Sequence, residues 1–303
     1  MEYKKKFDVI IIGGSYAGLS AAMALGRSLR TVLIIDSGKP CNRQTPHSHN
    51  FITQDGKTPK QITEAAKEQV LSYPTIQLEN ALAEKAEKTD YGFKITTDKG
   101  LTVESKKLLF STGVTDEMPP LAGFAECWGI SVLHCPYCHG YEVRGETIGV
   151  LANGDIAFEM CKHIGNWSKN IILFTNGKLA LTQDQTAKLL SKGFTIVEKT
   201  LAKLAHENGN IHTLYFQDGS SEQLTALFAR PSFKQHCTIP LQLGCTLNDQ
   251  GYIQVDELQR TSIPGVFAAG DNTTQARSVA FAVAAGTKAG ISVNKELIDE
   301  DFG

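Results

Sequence analysis

Two cysteines three residues apart are the residues best suited to chemistry in this chain. Cys135 and Cys138 form a C-x-x-C, and a histidine adjoins it on each side, His134 before and His139 after. A cysteine thiolate is the nucleophile of disulfide exchange and is also a metal ligand. The spacing therefore indicates either redox chemistry or metal binding.

The redox interpretation is the stronger of the two. A structural zinc site needs four ligands, and no second C-x-x-C or H-x₃₋₅-H accompanies this one, so we expect no metal. A histidine with an ordinary pKa near 6.5 can move protons at neutral pH, which makes His139 the candidate acid–base residue. His134 either shares that role or ends the strand GISVLH and bonds to backbone.

The remaining cysteines carry no such pattern. The chain has seven cysteines, an odd number, and seven is few for 303 residues. We therefore expect no structural disulfide framework. The five isolated cysteines are predicted to be small buried hydrophobic residues; they are Cys41, Cys127, Cys161, Cys237 and Cys245.

Length and composition indicate an ordinary globular chain. The 303 residues suit about two domains, and 42% are hydrophobic and 20% charged. With a net charge of −2 and no run of five like charges, we expect no nucleic-acid partner. No apolar run reaches the roughly 18 residues that cross a bilayer, and no leader precedes the first strand, so we expect a cytoplasmic protein without a membrane partner.

The N-terminal region follows a dinucleotide-binding pattern. Residues 7–12 (FDVIII) are a buried parallel strand, then a glycine turn runs from Gly13 to Gly18, and a helix and a second strand lead to Asp36. Gly13 permits the tight turn, and Gly18 lets the helix approach the strand. The helix N-terminus attracts a pyrophosphate, and Asp36 is placed for ribose hydroxyls. Ser15 replaces the middle glycine of the pattern.

A second βαβ pattern is less complete. Strands are predicted over 146–153 and 170–176, separated by a turn at 154–157 and a helix. The turn reads Ala152-x-Gly154-x-x-Ala157, so its first glycine is missing. The second strand ends in threonine and asparagine, without the acid that suits NAD or the arginine that suits a 2′-phosphate. Nucleotide binding by this module is left open.

Taken together, the motifs resemble those of the thioredoxin reductase-like flavoproteins over essentially the whole chain. They are GGSYAGLSAA, Asp36, the STG that ends the strand at Gly113, HCPYCHGYE, the second βαβ unit and TSIPGVFAAGD, in that order. The resemblance implies an α/β fold with two Rossmann-like, three-layer domains. The FAD domain would be discontinuous, at 1–114 and 247–303, with an inserted NAD(P)-type domain at 115–246 that carries the C-x-x-C. It also implies a homodimer.

The resemblance further implies the positions that hold FAD and the roles of the two cysteines. The cofactor residues would be Gly13, Gly14, Ser15, Ala17 and Gly18 at the pyrophosphate, Asp36 at the ribose, Arg43 and Asn50 near the flavin, Thr112 and Gly113 after the return strand, and Gly270 and Asp271 at the ribityl-phosphate side. Cys138 would face the flavin and Cys135 would meet the substrate. We also expect Cys138 to open the helix or turn that follows, a position that favours its thiolate.

Two departures from the family pattern point to a subgroup. Ordinary thioredoxin reductases carry C-A-T-C-D, whereas His139 stands here in place of that aspartate. They also carry a histidine-arginine-arginine cluster for the NADPH phosphate, where this chain has Asn176-Gly177-Lys178. The combination looks closer to the dithiol oxidases that close disulfides in natural products such as gliotoxin and holomycin. We therefore expect an FAD-dependent thiol–disulfide oxidoreductase with weak or absent NADPH use.

Alternatives stay open at this stage. The chain could be an NADPH-dependent disulfide reductase that acts on a thioredoxin-like protein or a small disulfide, with a phosphate partner that the sequence does not identify, Lys178 being one candidate. It could also be a non-catalytic flavin-binding sensor, although a pure binder has no need of a C-x-x-C. The direction of electron flow and the substrate do not follow from the sequence.

Overall fold

Alternating strands and helices dominate the computed structural model, which describes residues 5–303. The helices are α1 (Tyr16–Arg27), α2 (Pro59–Leu71), α3 (Phe124–Cys127), α4 (Pro136–His139), α5 (Gly154–Ile164), α6 (Gln183–Ser191), α7 (Ile239–Gln242) and α8 (Val279–Phe302). The strands are β1 (Lys6–Ile12), β2 (Val32–Asp36), β3 (Ile76–Asn80), β4 (Ala83–Lys88), β5 (Phe93–Thr97), β6 (Thr102–Phe110), β7 (Val114–Asp116), β8 (Val132–Leu133), β9 (Ile148–Leu151), β10 (Ile171–Phe174), β11 (Thr195–Val197), β12 (Leu201–Glu207), β13 (Asn210–Phe216), β14 (Ser221–Gln223), β15 (Ala226–Ala229), β16 (Phe233–Gln235) and β17 (Val266–Ala268).

The first of two compact units comprises the described residues up to Arg43, Pro59–Thr115 and Phe233–Gly303. Its sheet has the order β3-β2-β1-β6-β5-β4, with β17 also paired to β6. Strands β3, β2, β1, β6 and β17 run parallel. The apolar sequences of β1, β2 and β17 are buried nearly throughout, as is the second half of β6. Helix α8 packs on α1, where a side chain at Gly286 would meet the backbone of Ala17.

The second unit comprises Gln44–Thr58 and Asp116–Ser232. Its five-stranded parallel sheet has the order β11-β10-β9-β15-β8, and a separate antiparallel sheet contains β12, β13 and β14. Helix α5 packs its buried residues, among them Met160 and Ile164, against the parallel sheet. The C-x-x-C belongs to this unit, directly after β8.

The compact units and the predicted domain division differ in three places. Residues 44–58 lie with the second unit, and residues 115 and 233–246 lie with the first, whereas the sequence-based division places the second domain at 115–246. The assignment of separate functions to domains 1–114 plus 247–303 and 115–246 stays a prediction. Within residues 5–303, no helix is both long and apolar enough to cross a membrane.

Two local predictions were wrong. The turn predicted at 154–157 is the start of α5, because the Asn153 side chain accepts the N–H of Gly154 and caps the helix at that point. Cys41 is exposed rather than buried and Cys237 is only partly buried, while the other isolated cysteines are buried as expected. Burial raises the pKa of the Cys161 thiol to about 12, so that thiol is unreactive at neutral pH.

The turn between β1 and α1 is the tightest backbone approach in the first unit. Gly13 has a φ of +105°, and a Cβ there would clash with the carbonyl oxygen of Ser111. A Cβ at Gly18 would clash in turn with the carbonyl oxygen of Gly13. Only glycine at these two positions lets β1, β6 and the start of α1 meet.

Replacing Gly13 with alanine tests this close approach. Gly38 is the matched control, because its φ is +72° but a Cβ there would meet nothing within 4 Å. We expect Gly38→Ala to lose only about 1–2 kcal/mol of unfolding free energy, the cost of a left-handed conformation for alanine. Gly13→Ala should lose clearly more, about 3 kcal/mol or above, since the clash adds to that cost. Urea unfolding measures both, and equal losses would contradict the account.

Candidate active site

The C-x-x-C forms a disulfide at the start of a single helical turn. Cys135 is the N-cap of α4 with extended backbone, and Pro136 occupies the first helical position, where its missing N–H is not needed. Cys135 and Cys138 are joined by a disulfide with their Cα atoms 5.3 Å apart. The N–H of Cys138 donates to the sulfur of Cys135 at 3.2 Å.

This geometry corrects the expectation that Cys138 opens the helix. Cys135 holds that position, and Cys138 lies inside the turn. The N–H of Cys138 thus lies where it can donate to a charged sulfur of Cys135. The role of Cys135 as the exchange thiol stays a prediction.

Exposed aromatic side chains lie on the α4 turn and directly after it. Tyr137, between the two cysteines, and Tyr141 are 66% and 65% exposed. The Tyr137 ring contacts Trp167 edge-on at 5.4 Å between centroids, and the Arg144 guanidinium lies 3.9 Å above the Tyr141 ring. Gly140 permits this arrangement, because a Cβ there would meet the Trp167 ring. These rings offer an apolar surface close in sequence to the disulfide.

His139 ends α4 and is half-buried. Burial lowers the pKa of its imidazole below the ordinary 6.5, while the charge of Glu142 raises that pKa and the charge of His49 lowers it. The net direction keeps His139 neutral at pH 7, the state in which an imidazole can accept a proton from a thiol.

His134, the other flanking histidine, follows β8 directly. Its ring lies 5.9 Å from the ring of the buried Trp128, centroid to centroid, so it packs against the apolar core of the second unit. Its predicted part in proton transfer stays a prediction.

Sequence reasoning missed His49. Its ring lies edge-on to that of His139, with the centroids 6.5 Å apart. Its Nε2 is 3.5 Å from Glu142 Oε1, and its Nδ1 is 3.4 Å from Asp55 Oδ2. The available signal was the H-x-H of His47 and His49 in a chain with only eight histidines. No local pattern connects that pair to residues ninety positions later.

The turn after β1 fits a bound dinucleotide. Helix α1 begins after Ser15 with no side-chain cap and no acidic residue in its first turn, so its first N–H groups are available for an anion. A Cβ at Gly14 would crowd the Asp36 side chain. The hydroxyl of Thr112 is buried without a hydrogen-bond partner among the described residues, as expected where a ligand supplies one.

Other predicted cofactor residues have identifiable partners in the first unit. Asp36 Oδ2 is 3.4 Å from Lys67 Nζ, which leaves its other oxygen for a ribose hydroxyl. Gly270, with a φ of +95°, packs against the Ala17 side chain. Asp271 Oδ2 lies 3.7 Å from Arg277 Nε. Gly113, with a φ of +64°, follows Thr112 in open space.

Arg43 and Asn50 are the predicted residues with least support. Arg43 is exposed and donates from Nη1 to the carbonyl oxygen of Pro40 at 3.2 Å. Asn50 is exposed, has a φ of +60°, and its N–H donates to Asp55 Oδ1. Their approach to a flavin stays a prediction.

In the second βαβ unit, the Asn153 side chain makes hydrogen bonds at the turn between β9 and α5. Its Oδ1 accepts the N–H groups of Gly154 and Ala180, both at 2.9 Å. Its Nδ2 donates to the carbonyl oxygen of Lys178 at 2.8 Å. One side chain therefore ties the start of α5 to the loop after β10.

Charge at this place also disfavours a nucleotide phosphate. Glu198 accepts the N–H of Leu179 at 2.9 Å, and Asp155 lies in the first turn of α5. The Glu198 carboxylate is thus fixed at the residue next in sequence to the exposed Lys178, whereas a phosphate prefers arginines or clustered lysines. The residues present do not fit tightly bound NADPH. Among residues 5–303, no three His, Cys, Asp or Glu side chains come together as a metal site.

Comparisons with known proteins match this architecture over nearly its whole length. The profile of the pyridine nucleotide-disulphide oxidoreductase family covers residues 7–289. The chain is 33% identical to thioredoxin reductase sirT of Leptosphaeria maculans, over 98% of this chain and 96% of that protein. An oxidoreductase from Agrobacterium tumefaciens is 38% identical with a TM-score of 0.91, covering 97% and 99% of the two chains. The HlmI structure superposes with a TM-score of 0.93 at 29% identity, covering 100% and 96%.

These similarities confirm two predictions made from the sequence. The resemblance to the thioredoxin reductase-like proteins, including the subgroup marked by HCPYCHGYE, is confirmed. The α/β fold with two Rossmann-like domains is confirmed as well.

Replacing His139 with alanine should slow thiol–disulfide exchange at Cys135 by a factor on the order of 10²–10⁴, the usual contribution of an acid–base residue. A neutral imidazole is the active form, so the wild-type rate should fall as the pH drops through the pKa of His139, below 6.5. The variant should lose that limb of the pH profile. His163→Ala, at an exposed position on α5, is the control. An unchanged rate and profile would remove His139 from the site and leave His134 as the candidate.

Proposed function

Because the chain belongs to the pyridine nucleotide-disulphide oxidoreductase family, we propose that it is an FAD-dependent thiol–disulfide oxidoreductase that oxidises a small dithiol, with little or no use of NADPH. The observation that carries the proposal is the closed Cys135–Cys138 disulfide at the start of α4, followed directly by the half-buried His139.

The first unit would hold FAD without a covalent bond. The pyrophosphate would lie at the turn from Gly13 to Gly18, the ribose at Asp36, and the ribityl side near Asp271. When bound, the flavin accepts two electrons from a dithiol and passes them to oxygen or another acceptor.

The chain's own residues carry out the thiol chemistry. His139 takes the proton of one substrate thiol, and the resulting thiolate attacks the sulfur of Cys135. A bond forms between these two sulfurs, the Cys135–Cys138 bond breaks, and Cys138 leaves as a thiolate. The Cys138 thiolate takes the proton of the second substrate thiol, and the resulting thiolate attacks the substrate sulfur of this mixed disulfide. Cys135 then leaves as a thiolate, stabilised by the N–H of Cys138, and two electrons have moved to the cysteine pair.

The aromatic surface supports a substrate with an apolar body. Tyr137 and Tyr141 are exposed on or directly after α4, and each ring is held by a partner, Trp167 for the first and Arg144 for the second. Preordered rings gain contact area with little loss of side-chain entropy on binding. A small dithiol with an apolar or aromatic frame fits this surface better than a highly charged one.

An NADPH-dependent disulfide reductase is the second candidate. It is favoured by the retained βαβ architecture of the second unit and by relatives such as sirT, which is named as a thioredoxin reductase. A thioredoxin-like protein would then be the partner. The internal bonds of Asn153 and the carboxylate of Glu198 disfavour it. In either case the resemblance implies a homodimer.

Dithiol-dependent oxygen uptake by the purified, FAD-loaded chain tests the proposal. We expect dithiothreitol to support uptake, and Cys135→Ser to abolish it while FAD released by heat shows unchanged cofactor content. Cys41→Ser, at an exposed cysteine outside the C-x-x-C, should retain the rate. Full activity in both Cys135→Ser and Cys138→Ser would mean that the site is wrongly assigned.

NADPH should reduce the flavin slowly or not at all under anaerobic conditions. The reason is that the loop near Asn153 offers the phosphate a single exposed lysine, Lys178, and that Glu198 accepts the N–H of the next residue, Leu179. Excess NADPH is added to the oxidised protein and the flavin absorbance band is followed, with dithiothreitol in a second cell as the positive control. Rapid and complete bleaching by NADPH would restore the reductase interpretation.

A further inference from the structure

A loop in the second unit carries two histidines that the proposed chemistry does not use. This histidine loop (residues 44–58) is closed on itself by backbone hydrogen bonds from Ser48 to Lys57 and from Gly56 to Ser48, at 2.8 and 2.9 Å. His47 Nδ1 bonds the carbonyl oxygen of Gly56 at 2.9 Å. The loop therefore has a defined shape that presents His49 in a fixed place.

The His49 ring lies between two carboxylates, those of Asp55 and Glu142, which come from different parts of the second unit. Asp55 belongs to the histidine loop, and its Oδ1 also accepts the N–H of Asn50 at 2.8 Å, which fixes the carboxylate. Glu142 lies three residues after His139, beyond the end of α4. The His49 side chain is 21% exposed, against 65% for Asp55 and 40% for Glu142, so the imidazole is the inner member of the group.

We propose that His49 is a positioning residue for the thiol–disulfide exchange: held between Asp55 and Glu142, it sets the net charge that His139 faces. This inference rests on the proposed function, because it concerns the proton that His139 takes from the substrate.

The charges around His139 act in opposite directions. The Glu142 carboxylate favours a proton on His139, whereas a charged His49, with its ring 6.5 Å away, disfavours one. Asp55 and Glu142 lie against the two ring nitrogens of His49, and the ring of His47, a further titratable group, is 6.4 Å from that of His49, centroid to centroid. The two cysteines carry no charge while they are joined as a disulfide. His49 thus offsets Glu142 and keeps His139 ready to accept a proton.

The test is an NMR titration of the His139 ring in the full, FAD-loaded chain, with the signal assigned by His139→Gln. In His49→Gln the ring should titrate at higher pH, and in Glu142→Gln at lower pH. A charge 6.5 Å away, the distance between the His49 and His139 rings, corresponds to a shift of roughly 0.5 to 1 pH unit, and we expect a shift of similar size for Glu142. The double variant should return close to the wild-type value. Shifts in the same direction, or none, would overturn the proposal.

Three controls separate charge from loss of structure. His47→Gln changes a histidine of the same loop that does not face His139, and it should leave the titration in place. Glu142→Asp keeps the carboxylate and should restore most of the shift lost in Glu142→Gln. Urea unfolding measures whether each variant is folded. If His49→Gln is not, Asp55→Asn, which removes the carboxylate beside His49 Nδ1, is measured in its place, with the His139 ring expected to shift in the same direction.

A kinetic measurement tests whether the charge at His139 affects the rate of thiol–disulfide exchange. The acid limb of the dithiol reaction should move in the same directions as the ring titration, up for His49→Gln and down for Glu142→Gln. A titration that moves while the kinetic limb stays would overturn the positioning role. A chain that oxidises no dithiol overturns the proposed function, whereas the ring titration separately tests whether His49 and Glu142 set the charge at His139.

Discussion

The site depends on one geometric constraint, the placement of two cysteines across a single turn of helix. With Cys135 as the N-cap and Cys138 inside the turn, the Cα atoms lie 5.3 Å apart, within the range that a disulfide can join. The same turn gives the Cys135 sulfur an N–H donor and places His139 directly after the pair. A longer or shorter spacing would separate the redox bond from its proton acceptor.

The two units share a βαβ architecture but differ at the start of the helix that follows the first strand. In the first, glycines at 13 and 18 leave the start of α1 open, and no side chain caps it. In the second, Asn153 caps α5 and bonds the loop after β10, so the corresponding groups are already satisfied. Since a nucleotide must replace such bonds with better ones, the first unit is the stronger candidate for a cofactor. This asymmetry is the physical basis for proposing FAD without NADPH.

Local patterns in the sequence predicted much of this arrangement. The apolar run 7–12, the glycine turn and Asp36 predicted β1, α1 and β2, because period, turn chemistry and strand burial are all local. The start of α4 at Cys135 was missed although Pro136 signals a first helical position. His49 was missed for a different reason: its contacts with His139 and Glu142 join residues about ninety positions apart, and only the folded second unit brings them together.

The most direct test of the account counts thiols in the oxidised and the reduced protein. Alkylation of the denatured, oxidised chain should label five cysteines, those outside the C-x-x-C. After anaerobic reduction by a dithiol it should label all seven, with peptide mapping assigning the two new sites to Cys135 and Cys138. Five labels in both states, or new labels at other cysteines, would contradict a redox-active pair at the start of α4.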